Sequence, residues 1–285
     1  MQNVTEFEKS RRSINWKNLS IVITFHLLTI PAFFLFSWQN FAVMLIGNWI
    51  VGSLGIGLGY HRLLTHRSFK APKWLEYTLT IFGAMAIQDD APKWVATHRI
   101  HHQFVETEKD PHSTRPGFWW AHMEWILRGT AQDHDEATLK RYVPDLLKDK
   151  FHVLLAKYYY IPLVLSGFLL FAIGGWSMVL WGVFVRIVFG WHSTWFVNSA
   201  THFFGKRRFA TEDDSTNNAW VAILTFGEGW HNNHHAQPTS ARHGLKWYEF
   251  DMNWLTIRLF EKLGWAKQIR IFDTEKPPLE LKRTA

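Results

Sequence analysis

The sequence contains no cysteine. Disulfides, thiolate metal sites and cysteine nucleophiles are therefore excluded, and any metal must be held by nitrogen and oxygen donors. A His-Glu-x-x-His string is also absent. The glutamate that a zinc protease sets beside its metal as general base is thus missing. No nucleic-acid recognition motif accompanies the net charge of +7, so nucleic acid is not an expected partner. The N-terminal stretch is polar, and no small-residue cleavage site follows the first apolar run, so a cleavable signal peptide is not expected. There is no repeat of fixed period and no low-complexity tract.

Apolar residues and histidine are abundant. The chain of 285 residues is 47% hydrophobic, with 17 Trp, 23 Phe and 16 His. Such an aromatic load suits interfacial belts in a membrane. The mean hydropathy is slightly negative, so a sizeable polar part must lie outside the bilayer. Four apolar segments meet the ~20 residues that a helical span needs: 19–38, which includes Pro31, then 41–60, 153–173 and 178–204. They pair as two hairpins, because the links Ser37–Asn40 and Gly174–Ser177 carry no charge. The other ends are basic. Lys9, Arg11, Arg12 and Lys17 precede the first segment, Arg62, Arg67, Lys70 and Lys73 follow the second, and Lys206, Arg207 and Arg208 follow the fourth. All fall on one side, which the positive-inside rule makes cytoplasmic, with both termini. The same charge favours anionic lipid or an acidic protein. The stretch Trp74–Ile87 is short for a span and reads as an interfacial or re-entrant helix.

The fold class expected is therefore an all-α integral membrane protein, one domain over 1–285. Its four transmembrane helices would sit beneath a cytoplasmic helical cap formed by 61–151 and 205–285.

Three histidine clusters carry the chemistry: His61-Arg-Leu-Leu-Thr-His66, His98-Arg-Ile-His101-His102 and His231-Asn-Asn-His234-His235. Residues at i, i+3 and i+4 share a helix face, so the second and third clusters each aim imidazoles at one point. The i, i+5 pair lies ~140° apart on an ideal helix and converges only if the helix end unwinds or turns near Gly59-Tyr60. Two spans separate clusters two and three, so all three meet on one side. Eight imidazoles exceed the needs of one metal, and two metals are the economical reading. Imidazole suits Zn, Cu, Fe and Ni alike. Asn198 and His202 share a face near the inner end of the fourth segment, and polar groups at that depth are usually functional. His26, His112, His122, His134, His152, His192 and His243 read as packing, interfacial or supporting residues.

The clusters resemble those of the membrane fatty acid desaturase superfamily, in particular its Δ9 acyl desaturase branch. The strings that carry the resemblance are GYHRLLTHRSF at 59–69, WVATHRIHHQFVETEKDPHS at 94–113, GFWW at 117–120, WFVNSATHFFG at 195–205 and DDSTNNAWVAILTFGEGWHNNHHAQPTSARHG at 213–244. The resemblance implies four membrane helices under a cytoplasmic cap with a dimetal centre between them. It implies nine ligands, His61, His66, His98, His101, His102, His202, His231, His234 and His235, with Asn198 holding a metal-bound water. It also makes Trp195 a wall of a bent acyl tunnel. Two Fe²⁺ ions would use O₂ to remove two hydrogens from an unactivated mid-chain position and leave a cis double bond, at Δ9 in this branch. Glu106, Asp110 and Glu228 lie near the boxes and are candidates to hold ligand N–H groups from behind. No His-Pro-Gly-Gly haem box occurs, so an external donor of the ferredoxin or cytochrome b5 type is expected.

Acyl-CoA desaturases of the branch tend to carry Arg-Asp before the second box. Ala96-Thr97 stands there instead, and Ile126–Gln132 holds Arg128 alone. This disfavours acyl-CoA and resembles cyanobacterial and bacterial members, where glycerolipid-linked chains are common substrates, so a saturated acyl chain, lipid-bound or thioester-bound, is expected. Gln88-Asp89-Asp90-Ala91 replaces a more usual uncharged, glycine-rich sequence. Related hydroxylases, ketolases and alkane monooxygenases share histidine boxes and form the nearest rival. A membrane metal transporter is a further rival, but its histidines would lie along the bilayer midplane.

Overall fold

Polar caps and glycine-rich turns divide the apolar sequence into helices. A computed structural model describes residues 13–129 and 132–273, and these form fourteen α-helices, three π-helical stretches and only isolated β-bridges. Helix α1 (Trp16–Phe33) starts where the Asn15 side chain accepts the Asn18 amide, and α2 (Trp38–Asn48) where Ser37 accepts that of Asn40. Such side-chain acceptors satisfy amides that have no partner within the helix. Helix α2 runs on without a break as a π-helix, Trp49–Thr65. Then follow α3 (Lys73–Ala84), α4 (Ala91–Phe104), a π-turn Trp120–Glu124 leading into α5 (Trp125–Leu127), and three short helices, α6 (Glu136–Tyr142), α7 (Pro144–Lys148) and α8 (Lys150–Lys157).

Helix α9 (Ile161–Val179) continues through a π-stretch, Leu180–Val185, into α10 (Arg186–Asn198) and α11 (Ala200–Phe203). It folds back on itself at the predicted link. Gly175 takes φ +64°, a left-handed conformation open to glycine, and Gly174 is also non-helical. The arms run antiparallel. Gly182 faces Leu170 so closely that a Cβ there would lie 2.6 Å from Leu170 Cδ1, and Gly167 faces Val183. The segment expected from 153 begins instead at Ile161, with α8 a separate helix. Pro162 in the first turn has no N–H to continue a preceding helix and favours a helix start. The cap closes with α12 (Ala219–Leu224), α13 (His231–Ala236) and α14 (Met252–Lys262).

Among the described residues, two stretches are long and apolar enough to cross a membrane, Trp38–Thr65 and Ile161–Phe203. Large apolar side chains on the second point outward, among them Phe168, Leu169 and Ile173, each more than 60% exposed. Helix α1 meets the length but not the hydropathy. Its outer face carries Ile23, Leu27 and Ile30.

The stretch expected to be interfacial is α3, which lies hard against the π-helix. A Cβ on Gly55 would sit 2.4 Å from the Gly83 amide nitrogen, and one on Gly59 would sit 2.9 Å from the Leu79 carbonyl oxygen. Small residues permit such backbone contact between membrane helices.

Candidate metal centre

The i, i+5 histidine pair is resolved by the π-helix. There the backbone bonds i to i+5, as the His66 amide does to the His61 carbonyl at 3.1 Å, so residues five apart lie roughly one above the other. The helix widens rather than unwinding at Gly59-Tyr60. The Nε2 atoms of His61 and His66 are consequently 3.1 Å apart. Helix α4 brings His98 and His102 to the same pocket with Nε2 atoms 3.1 Å apart, and α13 adds His234, 3.2 Å from His61 and 3.1 Å from His102. The ligand atoms of these five histidines all fit within 4.8 Å of one another.

The remaining four form a second group. His202 and His231 approach at 3.1 Å between Nε2 atoms, and His235 joins them. His101, with His102, also faces His235. All nine sequence-derived ligands are thus gathered, five and four, in one buried region.

The donor chemistry fits cations. His101 Nδ1 donates to Asp110 at 3.0 Å, His202 Nδ1 to Glu106 at 3.1 Å and His235 Nδ1 to Asp213 at 2.7 Å. A neutral imidazole with its proton on Nδ1 turns a bare lone pair inward from Nε2. Nε2 of His101 and of His235 is buried without a hydrogen-bond partner. Lone pairs facing one another away from water are unfavourable unless an electrophile lies between them. Two nitrogens each about 2.1 Å from one cation and at right angles are about 3.0 Å apart, close to the spacing found.

Carboxylates stand beside the outer nitrogens of the histidines, Glu106 at His202, Asp110 at His101 and Glu228 at His61. Glu228 Oε2 lies 2.7 Å from His61 Nδ1 and 3.1 Å from His243 Nδ1. Burial pushes the Glu106 carboxyl up, but bonds from His202 and the Asp214 amide outweigh it and hold it at about 2. Burial drives His235 down against the opposing pull of Asp213, to about 4.

Three participants were missed in the sequence. Asp213 lies in a quoted string, but its distance from His235 hides the pairing. His243, one of the residues read as packing, interfacial or supporting, has its ring 4.5 Å from that of His234. Arg62 was read as a flanking cytoplasmic cation and is instead fully buried, bonded to Glu228 and Asp251. Four hydrogen bonds to three partners, Glu228, Asp251 and the Ala241 carbonyl, satisfy a charge that water would otherwise hold. Three other histidines read in the same way as His243 stand in a hydrogen-bonded file. His26 meets His192, and His192 meets His122, each at 3.0 Å, tying α1 to α10 and the 120–124 turn.

Two cavities meet beside the histidines. One, of about 190 Å³, runs from Lys17 and Asp133 past Trp191 and Trp195. The other, of about 70 Å³, is mostly apolar and ends among Asn48, Gly52 and Phe226. Trp94, His98, Thr194 and Asn198 line both, so the two spaces adjoin next to the histidines. Gln88 Nε2 donates to Thr194 Oγ1 there, at 3.0 Å.

These features define a helical protein with apolar, membrane-compatible segments, a polyhistidine pocket able to hold metal ions and two adjoining cavities beside it. The fatty acid desaturase family model matches residues 36–266. The sn-1 stearoyl-lipid 9-desaturase of Anabaena variabilis is 46% identical over 94% of this chain and 98% of its own. The sn-1 stearoyl-lipid 9-desaturase of Synechocystis sp. is 46% identical over 90% of this chain and 80% of its own. The chloroplastic palmitoyl-monogalactosyldiacylglycerol delta-7 desaturase of Arabidopsis thaliana is 42% identical over 95% and 72%. The chain belongs to the fatty acid desaturase family and is an enzyme that desaturates fatty acyl chains.

Proposed function

We propose that this enzyme is a di-iron 9-desaturase acting on saturated acyl chains esterified to membrane glycerolipids. Four segments cross the bilayer in two hairpins, and the histidine cap faces the cytoplasm; the termini expected on that side lie outside the described residues. The observation that carries the reading is that the two cavities adjoin at His98 and Asn198, beside the histidine pocket. A chain threaded through both presents one mid-chain carbon pair to the histidine pocket.

His61, His66, His98, His102 and His234 would hold one iron, and His101, His202, His231 and His235 the other, with Asn198 retaining a water beside them. When bound, the iron pair supplies the O₂ chemistry that removes two hydrogens. The protein supplies the rest. Asp110, Glu106 and Asp213 fix the tautomer and aim of His101, His202 and His235. Trp94, Trp195 and Thr194 line the channel where the chain must turn, which selects the carbon pair by position. The apolar far cavity takes the methyl end and keeps water away. Two electrons per turnover come from a separate ferredoxin or cytochrome b5, which the basic cytoplasmic face would attract.

Expression in a desaturase-deficient host, followed by lipid analysis by class and double-bond position, tests the reading. Cis-9 monoenes in intact glycerolipids are expected. Hydroxylated chains without an alkene would favour the oxygenase relatives and overturn it.

A further inference from the structure

Of the Asp89-Asp90 pair, unexplained by sequence, Asp89 lines the larger of the two cavities, and Asp90 stands next to it at the start of α4. Asp90 caps α4, its carboxylate accepting the Lys93 amide at 3.0 Å. A helix N-terminus is otherwise a ready anion site, and here the chain's own carboxylate fills it. Asp89, with φ +79°, sits in the left-handed region that Asp and Asn tolerate best. Its Oδ1 lies 3.6 Å from Lys93 Nζ, and Asp133 Oδ1 lies 3.3 Å from the same atom. The ammonium that faces the cavity from α4 is thus held between two carboxylates. Lys17 is the other lysine lining the cavity. Ala96 is fully buried, and Thr97, also buried, lines the cavity with its hydroxyl donating to the Lys93 carbonyl. Asn18, Gln132 and Tyr159 add neutral hydrogen-bonding groups to the lining.

We propose that Asp89 and Asp133, by neutralising Lys93, set the carrier specificity of the enzyme. They favour an acyl chain on an uncharged, hydroxyl-bearing glycerolipid and disfavour one on a phosphate-bearing carrier. This rests on the desaturase reading above and adds which headgroup chemistry the cavity accepts. A phosphate needs a free cation or free amides; on α4 the Lys93 ammonium and its amide are both taken by the chain's own carboxylates, which leaves Lys17 as the other cation of the lining. Sugar hydroxyls donate to carboxylates and need neither.

The test uses full-length, iron-loaded enzyme in nanodiscs with a reduced donor protein. Three stearoyl carriers are compared: galactosyl diacylglycerol, phosphatidylglycerol and coenzyme A. The readout is the ratio of kcat/KM between carriers. Wild type is expected to prefer the galactolipid. Asp89→Asn with Asp133→Asn, which keeps side-chain size, should raise the ratio for both phosphate carriers about tenfold, as expected for removing one or two nearby charges of the wrong sign. Lys93→Gln should move it the other way. Glu136→Gln, an exposed charge change on α6 paired with Lys140, is the control and should leave it unaltered. An unchanged ratio in the double variant, or a wild type that prefers coenzyme A, overturns the proposal. Absence of alkene from every carrier would instead count against the desaturase reading itself.

Discussion

Arg62 and Asp251 form a two-pronged ion pair, with Nη2 and Nη1 at 2.9 and 3.1 Å from the two carboxylate oxygens. The pair joins the first histidine box to the start of α14, 189 residues away. The same Asp251 accepts the amides of His243 and Trp254. Arg62 is fully buried, so removing it leaves Asp251 and Glu228 charged and short of partners. Arg62→Met should therefore destabilise the enzyme by about 3–5 kcal/mol. Arg62→Lys should destabilise it less, because it keeps the charge but loses the planar fork. Thermal unfolding in detergent checks both, and an Arg62→Met protein as stable as wild type would contradict the assignment.

The His235–Asp213 bond leads to a prediction about metal affinity. Asn at 213 keeps the volume but removes the charge that orients the imidazole and strengthens its inward lone pair. Such partners typically contribute 10–100-fold in metal affinity. Asp213→Asn should lower iron retention by about that factor in competition with a chelator. Asp213→Glu should recover part of it.

The buried histidines make the metal-free protein sensitive to acid. Burial, then the neighbouring His101, pushes His112 down to about 3. Burial, then His192, takes His122 to about 4. An unfolded histidine titrates near ~6.5. Above that pH neither state binds the proton, and these groups contribute nothing. As the pH falls below it, the unfolded chain gains protons that the folded one refuses, so stability is lost. Glu106, held at about 2, acts in the same direction lower down. Its contribution is present above ~4.3, the unfolded value, and disappears as the pH falls through the folded one. The unfolding temperature of metal-free enzyme should fall steadily as the pH drops below about 6.5. A rise on acidification would contradict this.

Chain length should respond to the far cavity. Gly190 faces Asn48, whose Oδ1 would lie 3.5 Å from an added Cβ, and both residues line the apolar end. Gly190→Leu places side-chain volume where the methyl end would lie. The product profile should shift toward shorter chains while iron content stays at the wild-type level. An unshifted profile would mean that the chain ends elsewhere.

Much of the site was legible because histidine spacing reports helix faces directly. The second and third boxes needed only the i, i+3, i+4 rule, and His202 and Asn198 only a shared face and the resemblance. Other features depended on backbone detail or on distance in the sequence. No composition signal marks the Trp49–Thr65 helix as π, so the meeting of His61 and His66 could be required but not explained. Asp213 reaches His235 across 22 residues, and Arg62 reaches Asp251 across far more. Burial of Arg62 was hidden because a basic residue at the end of an apolar segment normally reads as a solvent-facing flank. The hairpin at Gly174-Gly175 was legible, whereas the start of α9 was displaced by Pro162 from the limit that hydropathy alone gave.

Metal analysis of the purified active enzyme bears most directly on the whole account. Two irons per chain are expected, falling well below two in both His98→Ala and His235→Ala, which draw on different groups of ligands. An active wild type with one iron or none, or a full complement in either variant, would contradict the dimetal centre.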